Sequence, residues 1–141
     1  ETPGTITLTA NLNRGADAAW EKVGGNDWCG IAKFLDVKSC DINKGKGELG
    51  SVRTINGSIV EIVVARTPHS YPYAQPVTPI FYHGTLAVEP ADGGAHSRIV
   101  YTLFYDAAPL GTPEKKAADR EQRSKRFGAA LVTMKAMAES P

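Results

Sequence analysis

The feature that most restricts the fold of this chain is a long amphipathic segment near its C-terminal end. Residues 113–139 are rich in Ala, Lys, Glu and Arg, and the apolar residues recur at a spacing that places them on one helix face. These residues are Phe127, Leu131, Met134 and Ala138. A helix of this length has to bury its apolar face against a comparably large partner, and a sheet is the partner that the rest of the chain offers.

Strand patterns fill most of the remaining sequence. Residues 5–12 alternate apolar and polar side chains, which is typical of a half-buried strand. Two short helices are predicted next, at residues 17–23 and 27–35, because each opens with an aspartate and then carries large apolar residues at helical spacing. Six further strands, separated by Gly, Pro and Asn, are predicted at residues 37–42, 49–55, 58–66, 70–73, 81–88 and 98–105.

This order of elements predicts an α+β fold of the helix-grip type. A curved, seven-stranded antiparallel sheet is expected to wrap around the long C-terminal helix, with two short helices after strand one. A length of 141 residues fits a single domain, which we expect to span residues 1–141. Such packing tends to leave an interior space between sheet and helix, where small ligands usually bind. We therefore expect the functional site inside.

Charge and composition exclude several classes of partner. The chain has 16 Lys and Arg against 15 Asp and Glu, so no overall field attracts nucleic acid or anionic lipid. The basic residues of segment 115–126 are interleaved with acidic ones at helical spacing, which predicts a solvated helix face. The apolar stretches are too short to span a bilayer. We expect no nucleic-acid partner and no membrane insertion, and a monomer.

The two cysteines leave two states open. Cys29 and Cys40 lack the spacing and the histidine neighbours of a zinc site or a thioredoxin-like pair. Two buried free thiols are the preferred interpretation, and a disulfide is the alternative, which favours an oxidising compartment. The sequence opens at Glu1 rather than Met, which slightly favours an exported, periplasmic or secreted chain over a cytoplasmic one, although trimming accounts for it equally well.

Three segments carry a family resemblance: residues 34–40 (FLDVKSC), residues 50–53 (GSVR) leading to 60–62 (VEI), and residues 82–88 (YHGTLAV). Their order and spacing resemble the START-like or SRPBCC superfamily, which includes polyketide cyclases and dehydrases and the major birch pollen allergen. Within it, the pattern is most similar to the branch of the abscisic acid receptors and the lachrymatory factor synthase. The resemblance covers nearly the whole chain and implies the helix-grip fold.

The resemblance also implies roles for individual residues. The receptor lysine in the segment similar to Lys-Ser-Cys binds a ligand carboxylate, which makes Lys38 a candidate, and the glutamate matching Glu61 contacts the ligand through water. In the synthase, an arginine and a glutamate at positions similar to Arg53 and Glu61 transfer protons. Residues 54–60 are too short for the receptors' gate loop, and residues 74–79 differ from their latch. Hormone sensing is therefore not expected to transfer.

Whether Arg53 and Glu61 meet depends on the turn between them. A two-residue Asn56-Gly57 loop places them on opposite faces of the hairpin, whereas a three-residue loop of residues 56–58 makes them direct cross-strand partners. We favour the three-residue loop, which gives the pair an apolar setting. The alternative is a surface ion pair that contributes little to stability.

Further ligand-binding candidates come from alternation and aromatic content. Lys38 alternates with Cys40 and Ile42, so it faces inward if they do. Aromatic cavity walls bind ring-bearing or flat ligands, although core packing explains such residues as well. The remaining candidates are Tyr82, Phe104, Phe127 and Leu131.

These residues support two leading hypotheses. The first is a protein that binds a small, largely apolar molecule, with a carboxylate or carbonyl near Arg53, Glu61 and Lys38. The second is a metal-free polyketide cyclase or dehydratase in which Arg53 and Glu61 are the catalytic residues. A third is an interaction protein with a filled core. The three histidines lie far apart without acidic neighbours at ligand spacing, so we expect no metal site and no cofactor.

Overall fold

The computed structural model describes residues 3–24 and 27–141 of the chain. Its strands are β1 (Pro3–Leu12), β2 (Cys40–Lys44), β3 (Val52–Ile55), β4 (Ile59–Val63), β5 (Ser70–Ala74), β6 (His83–Ala91) and β7 (His96–Asp106). Its α-helices are α1 (Ala16–Val23) and α2 (Pro113–Ala138), and short 3₁₀ segments lie at Gly30–Lys33, Asp92–Gly94 and Ala108–Leu110. No helix in these residues is long and apolar enough to cross a membrane.

The strands form one antiparallel sheet in the order β1-β7-β6-β5-β4-β3-β2. The chain therefore runs along the sheet by successive hairpins from β2 to β7, and β7 closes against β1 from Pro3↔Asp106 to Leu12↔Ser97. The seven predicted strands, the long C-terminal helix and the helix-grip fold are confirmed.

The second short helix differs from the prediction. Instead of a helix over residues 27–35, the chain forms only the 3₁₀ segment Gly30–Lys33. Most hydrogen bonds here link residues three apart, as from Gly30 N to Asp27 O (2.9 Å) and from Ala32 N to Cys29 O (3.0 Å), and a single α-type bond runs from Leu35 N to Ile31 O (2.9 Å). The carbonyl of Trp28 accepts a hydrogen bond from the Arg53 side chain instead. A tertiary contact thus takes the acceptor that an α-helix needs.

Helix α2 begins at a proline and is capped by Thr112, whose hydroxyl accepts a hydrogen bond from Lys115 N. Its predicted apolar face is buried, and the helix packs on β1, β7 and α1. The ring of Phe127 lies 5.0 Å, centroid to centroid, from that of Tyr101 on β7. The helix therefore covers the inner face of the sheet.

The inner face of the sheet is crowded with tyrosines, and one glycine makes room for them. Tyr73 on β5 pairs in register with Gly84 on β6. A Cβ atom at Gly84 would lie 2.4 Å from the Tyr73 ring, so glycine is required for this close approach. The tyrosine ring fills the space that a side chain at residue 84 would take.

Candidate functional site

A buried ion pair joins β3 to β4. Arg53 and Glu61 are direct cross-strand neighbours, and Ile55 pairs with Ile59 across a three-residue loop. In this loop, Asn56 and Gly57 have positive φ angles of 53° and 76°, the left-handed conformation that asparagine and glycine tolerate best. The predicted register is confirmed. The alternative of a surface ion pair is wrong, since Arg53 is 0% and Glu61 4% exposed.

The Arg53 guanidinium is held on several sides. Its Nε donates a hydrogen bond to Glu61 Oε1 (2.9 Å), and its Nη2 lies 2.7 Å from the same oxygen. Its Nη1 donates to the carbonyl of Trp28 (2.7 Å), and its Cζ lies 3.8 Å from the centre of the Trp28 ring. Burial lowers the pKa of Arg53, but charge interactions with Glu61 and, to a smaller extent, with Tyr71, Tyr73 and Tyr101 together outweigh burial, so the pKa is raised. Arg53 is therefore a charged structural group.

Glu61 also contacts β5 and its continuation. Its Oε2 accepts a hydrogen bond from Gln75 Nε2 (2.8 Å), and the backbone N of Gln75 donates to the carbonyl of Tyr82 (2.9 Å). The Glu61 carboxylate thus connects Arg53 on β3 with Gln75, the residue that follows β5. Both of its oxygens have fixed partners, so its orientation is set before any ligand arrives.

Three tyrosine hydroxyls form a buried chain next to this carboxylate. The Tyr73 hydroxyl lies 2.9 Å from that of Tyr82 and 2.6 Å from that of Tyr101. Burial raises the pKa of Tyr82 and raises the pKa of Tyr73 and Tyr101 well above the usual value. The hydroxyls therefore stay neutral, and they act as hydrogen-bonding groups.

A small pocket opens onto these polar groups between the sheet, the Gly30–Lys33 segment and α2. Its volume is about 70 Å³. Each water occupies about 30 Å³ in the liquid, so the pocket has room for about two waters, far below the roughly 300–1,000 Å³ of sites for drug-sized ligands. Aliphatic side chains form its walls: Ile31, Leu35, Val37, Ile55 and Ile59.

Burial distinguishes the inner end of the pocket from its mouth. The lining residues Glu61, Tyr73 and Tyr82 are at most 4% exposed, so they form the inner end. Arg126 of α2 also lines the pocket but is exposed, which places it at the mouth. The pocket is therefore polar inside, aliphatic along its walls and cationic at its opening.

The structure brings some of the predicted ligand residues together. Glu61, Tyr82 and Phe127 line the pocket. Arg53 lies behind Glu61, and Leu131 is buried in the core. These placements give the predicted site its location, while the catalytic or binding role of each residue stays a prediction.

Two predicted ligand residues point away from the pocket. The inward orientation of Lys38 is wrong: its side chain is exposed, and Ile42 in the same alternating segment is 50% exposed. The reason is that β2 lies at the opposite end of the sheet from β1 and β7, on which α2 packs, and its residues are mostly exposed. Phe104 is also misplaced, since it is 55% exposed and lies with Phe81 and His83 in a cleft on the outer face of the sheet. The buried neighbours Leu103 and Tyr105 fix this orientation, because side chains alternate along a strand.

Sequence reasoning missed Gln75, Arg123 and Arg126. The two arginines were assigned to the solvated helix face, although Arg123 precedes the buried Phe127 by four residues and therefore lies on the same side of the helix. That spacing was the signal available. The sequence gives no signal for Gln75, because only the tertiary fold places this residue beside Glu61.

The two cysteines are joined. A disulfide connects Cys29 with Cys40, so the preferred interpretation of two free thiols is wrong. The bond ties the segment after Trp28 to the start of the edge strand β2. It therefore anchors the segment that carries Ile31 and Leu35 into the pocket wall. Among the described residues, no cluster of His, Cys, Asp and Glu that could hold a metal ion occurs.

The chain is similar to one protein family in sequence and to several solved structures in fold. The family described as polyketide cyclase / dehydrase and lipid transport matches residues 3–139. No curated protein matches the sequence. A protein from Nitrosospira multiformis has a similar structure, with a TM-score of 0.75 and 18% identity, and 97% of each chain is covered.

Two further similar structures belong to a synthase and to a di-domain ARO/CYC protein. Norcoclaurine synthase of Thalictrum flavum, as a point mutant with a transition-state analogue, has a TM-score of 0.69 and 16% identity, with 97% of this chain and 94% of that chain covered. The di-domain ARO/CYC protein BexL of the BE-7585A biosynthetic pathway has a TM-score of 0.71 and 19% identity, with 99% of this chain and 51% of that chain covered. At these identities the likeness establishes the fold, and the family match over residues 3–139 confirms the resemblance to the START-like or SRPBCC superfamily.

Proposed function

Since the chain belongs to the polyketide cyclase / dehydrase and lipid transport family, we propose that it binds a small, largely apolar molecule in the pocket between the sheet and α2. The observation that carries the proposal is the arrangement of the lining: aliphatic walls lead to a fixed set of buried polar groups. Apolar walls with a few convergent polar groups are the usual composition of small-molecule sites.

The inner end of the pocket favours a ligand with a hydroxyl or carbonyl group. The Glu61 carboxylate accepts hydrogen bonds, whereas the Tyr82 hydroxyl and the Gln75 amide can donate. Arg53 does not line the pocket, and its role is to hold the Glu61 carboxylate in place. This revises the expectation that Arg53 receives a ligand carboxylate.

The size of the pocket limits the part of the ligand that enters it. About 70 Å³ accommodates a short chain or a small functional group. A larger ligand has to extend through the mouth beside α2 or displace side chains of the wall. Pentan-2-one is a suitable first ligand because its carbonyl end can enter this space while the rest of its chain extends through the mouth.

An amide NMR titration with pentan-2-one tests the proposal, with two matched tryptophan variants. Ile59→Trp places a large ring in the pocket wall, whereas Ile42→Trp makes the same change on the exposed edge strand. We expect saturable shifts at pocket residues in the parent protein and in Ile42→Trp, and their loss in Ile59→Trp. Shifts that persist in Ile59→Trp, or that centre on the outer cleft at Phe81, would contradict the proposal.

Native mass spectrometry of the freshly purified protein complements this titration. A mass increment that disappears under denaturing conditions identifies a retained ligand by difference and also reads the oligomeric state, for which we propose a monomer. The same spectrum should lack the increment in Ile59→Trp.

A second candidate is a metal-free cyclase or dehydratase, and the access of Glu61 to the pocket favours it. Glu61 removes a proton from the carbon next to a substrate carbonyl, the electron pair forms a carbon–carbon double bond, and a β-hydroxyl leaves with that proton as water. Tyr82 stabilises the developing enolate oxygen by hydrogen bonding. No metal is needed for this sequence of steps.

The enzyme candidate is tested with 4-hydroxybutan-2-one in D₂O. Proton NMR measures both the exchange of its α-protons and the release of the dehydrated ketone. We expect the parent protein to accelerate exchange and Glu61→Gln to lose this acceleration while still binding pentan-2-one. Equal exchange rates with and without the parent protein would contradict the enzyme candidate, and ligand binding would remain the proposed function.

The disulfide supports a third part of the proposal, an exported location. Disulfides persist mainly in oxidising compartments such as the periplasm or the extracellular space. Alkylation of intact cells or of their periplasmic extract, followed by mass analysis, should find Cys29 and Cys40 protected from the reagent. Complete alkylation without reductant would contradict this location.

A further inference from the structure

Two arginines of α2 lie at the mouth of the pocket, one turn apart, and they differ in their partners. Arg123 donates a hydrogen bond from its Nε to Asp119 Oδ2 (2.8 Å), and its Cζ lies 4.9 Å from the centre of the Tyr105 ring. Arg126 is exposed and has no hydrogen bond or ion pair with the part of the chain that the structure describes. Arg126 therefore remains available to a ligand.

The charges around the pocket do not cancel. The charges of Arg53 and Glu61 compensate each other at the inner end, and those of Arg123 and Asp119 do so at the mouth. Arg126 adds one positive charge without a partner. The net charge of the whole chain is only +1, so a general positive field does not account for a cationic mouth.

The inner end of the pocket is unfavourable for the binding of an anion. The Glu61 carboxylate lies there at 4% exposure, and its compensating cation, Arg53, is behind it. A ligand carboxylate at the inner end would meet a like charge, and burial strengthens that repulsion. A carboxylate at the mouth instead meets the planar guanidinium of Arg126, which can hold both of its oxygens.

We propose that the pocket selects molecules that carry a carboxylate on a short apolar chain, with the end of the chain between the aliphatic walls and the carboxylate bound by Arg126 at the mouth. This inference rests on the proposed function and adds a ligand class and an orientation to it. Arg126 is the residue that sets the specificity, a role that sequence reasoning gave to Arg53 and Lys38.

The test compares pentanoate with pentanamide, which have the same shape and number of heavy atoms and differ in charge. Amide NMR titrations measure both affinities in the parent protein and in two variants. Arg126→Gln removes the charge at the mouth. Arg120→Gln removes the same charge from an exposed residue of α2 that does not line the pocket, which makes it the matched control.

We expect the parent protein to bind pentanoate about three- to fivefold more tightly than pentanamide at low ionic strength, the range of an exposed ion pair. Arg126→Gln should remove this preference, and Arg120→Gln should keep it. The preference should also vanish at about 1 M salt, where the Debye length falls to about 3 Å.

Several outcomes would overturn the inference. Equal affinities for the two probes in the parent protein, or an equal loss of preference in Arg120→Gln, would mean that Arg126 is not a specific carboxylate site. Failure of both probes while pentan-2-one still binds would overturn the inference and leave the proposed function standing. Failure of all three probes would overturn both.

Discussion

The buried Arg53–Glu61 pair leads to a stability prediction that can be worked out in detail. Removing one partner leaves the other charged and buried, which costs about 3–5 kcal/mol in comparable pairs. Such a loss is a large part of the roughly 5–15 kcal/mol by which domains are stable. We therefore expect Glu61→Leu and Arg53→Met each to lower the free energy of unfolding by about 3–5 kcal/mol.

The double variant distinguishes charge from packing. With both charges gone, the desolvation penalty of the pair is absent as well, and apolar replacements of similar volume are often neutral or stabilising. Two hydrogen bonds are still lost, since the Trp28 carbonyl no longer receives one from Arg53 Nη1 and Gln75 Nε2 no longer donates to Glu61. A buried group left without its partner costs about 1–3 kcal/mol. We expect the double variant to be more stable than either single variant, with a coupling energy of about 3 kcal/mol or more.

A second ion pair in the same sheet supplies the control. Glu89 on β6 and Arg98 on β7 are also direct cross-strand neighbours, at 2.9 Å between Oε2 and Nη2, but both side chains are about half exposed. The same double-variant cycle, Glu89→Leu with Arg98→Met, should give a coupling energy of about 0–1 kcal/mol. The two cycles differ in burial, while the type of pair and the strand geometry are shared.

Urea unfolding followed by circular dichroism measures all of these free energies, with the slope of each transition as a check that it remains two-state. The reasoning is refuted if the effects of Arg53→Met and Glu61→Leu add without coupling, or if the buried and exposed pairs couple equally. Either result would mean that burial does not determine the strength of this interaction.

The disulfide and two glycines give the remaining predictions. Cys29 and Cys40 are 11 residues apart, so replacing both by serine should destabilise the fold by about 3 kcal/mol, because the unfolded chain gains entropy. Reductant should lower the stability of the parent protein by the same amount in urea unfolding, and no change with reductant would contradict a disulfide in solution. Gly84→Ala forces the Tyr73 ring to move and should cost about 1–3 kcal/mol in the same assay. Gly128→Ala, in α2 with no atom within 4 Å of the added carbon, should instead stabilise by about 0.5–1 kcal/mol, and a loss there would show that the helix needs the glycine.

The fold could be predicted because its signals are local. Alternation identified the strands, and the spacing from Phe127 to Ala138 identified α2. The Asn56-Gly57 turn left two registers for Arg53 with Glu61, of which the favoured one is confirmed. Each of these signals lies within a few residues along the chain. The elements then have few ways to bury their apolar faces together.

Much of the site depended on information that no local pattern contains. Alternation shows that Lys38, Cys40 and Ile42 share a face, but it does not show that β2 lies at the end of the sheet opposite the strands on which α2 packs. Phe104 is different, because its strand did contain the signal: it shares a face with Arg98 and Thr102, whereas the apolar Ile99 and Leu103 lie on the other face. The 3₁₀ segment was set by a distant group, the Arg53 side chain.

The proposed role of Arg53 as a support for Glu61 follows from the physics of buried charge. A buried arginine needs a compensating carboxylate, and in this fold Glu61 and the Trp28 carbonyl supply its contacts. A ligand carboxylate could reach Arg53 only by displacing Glu61, which would then be the uncompensated buried charge. Recognition of an anion in this pocket therefore requires a cation outside the buried pair, and Arg126 at the mouth meets that requirement.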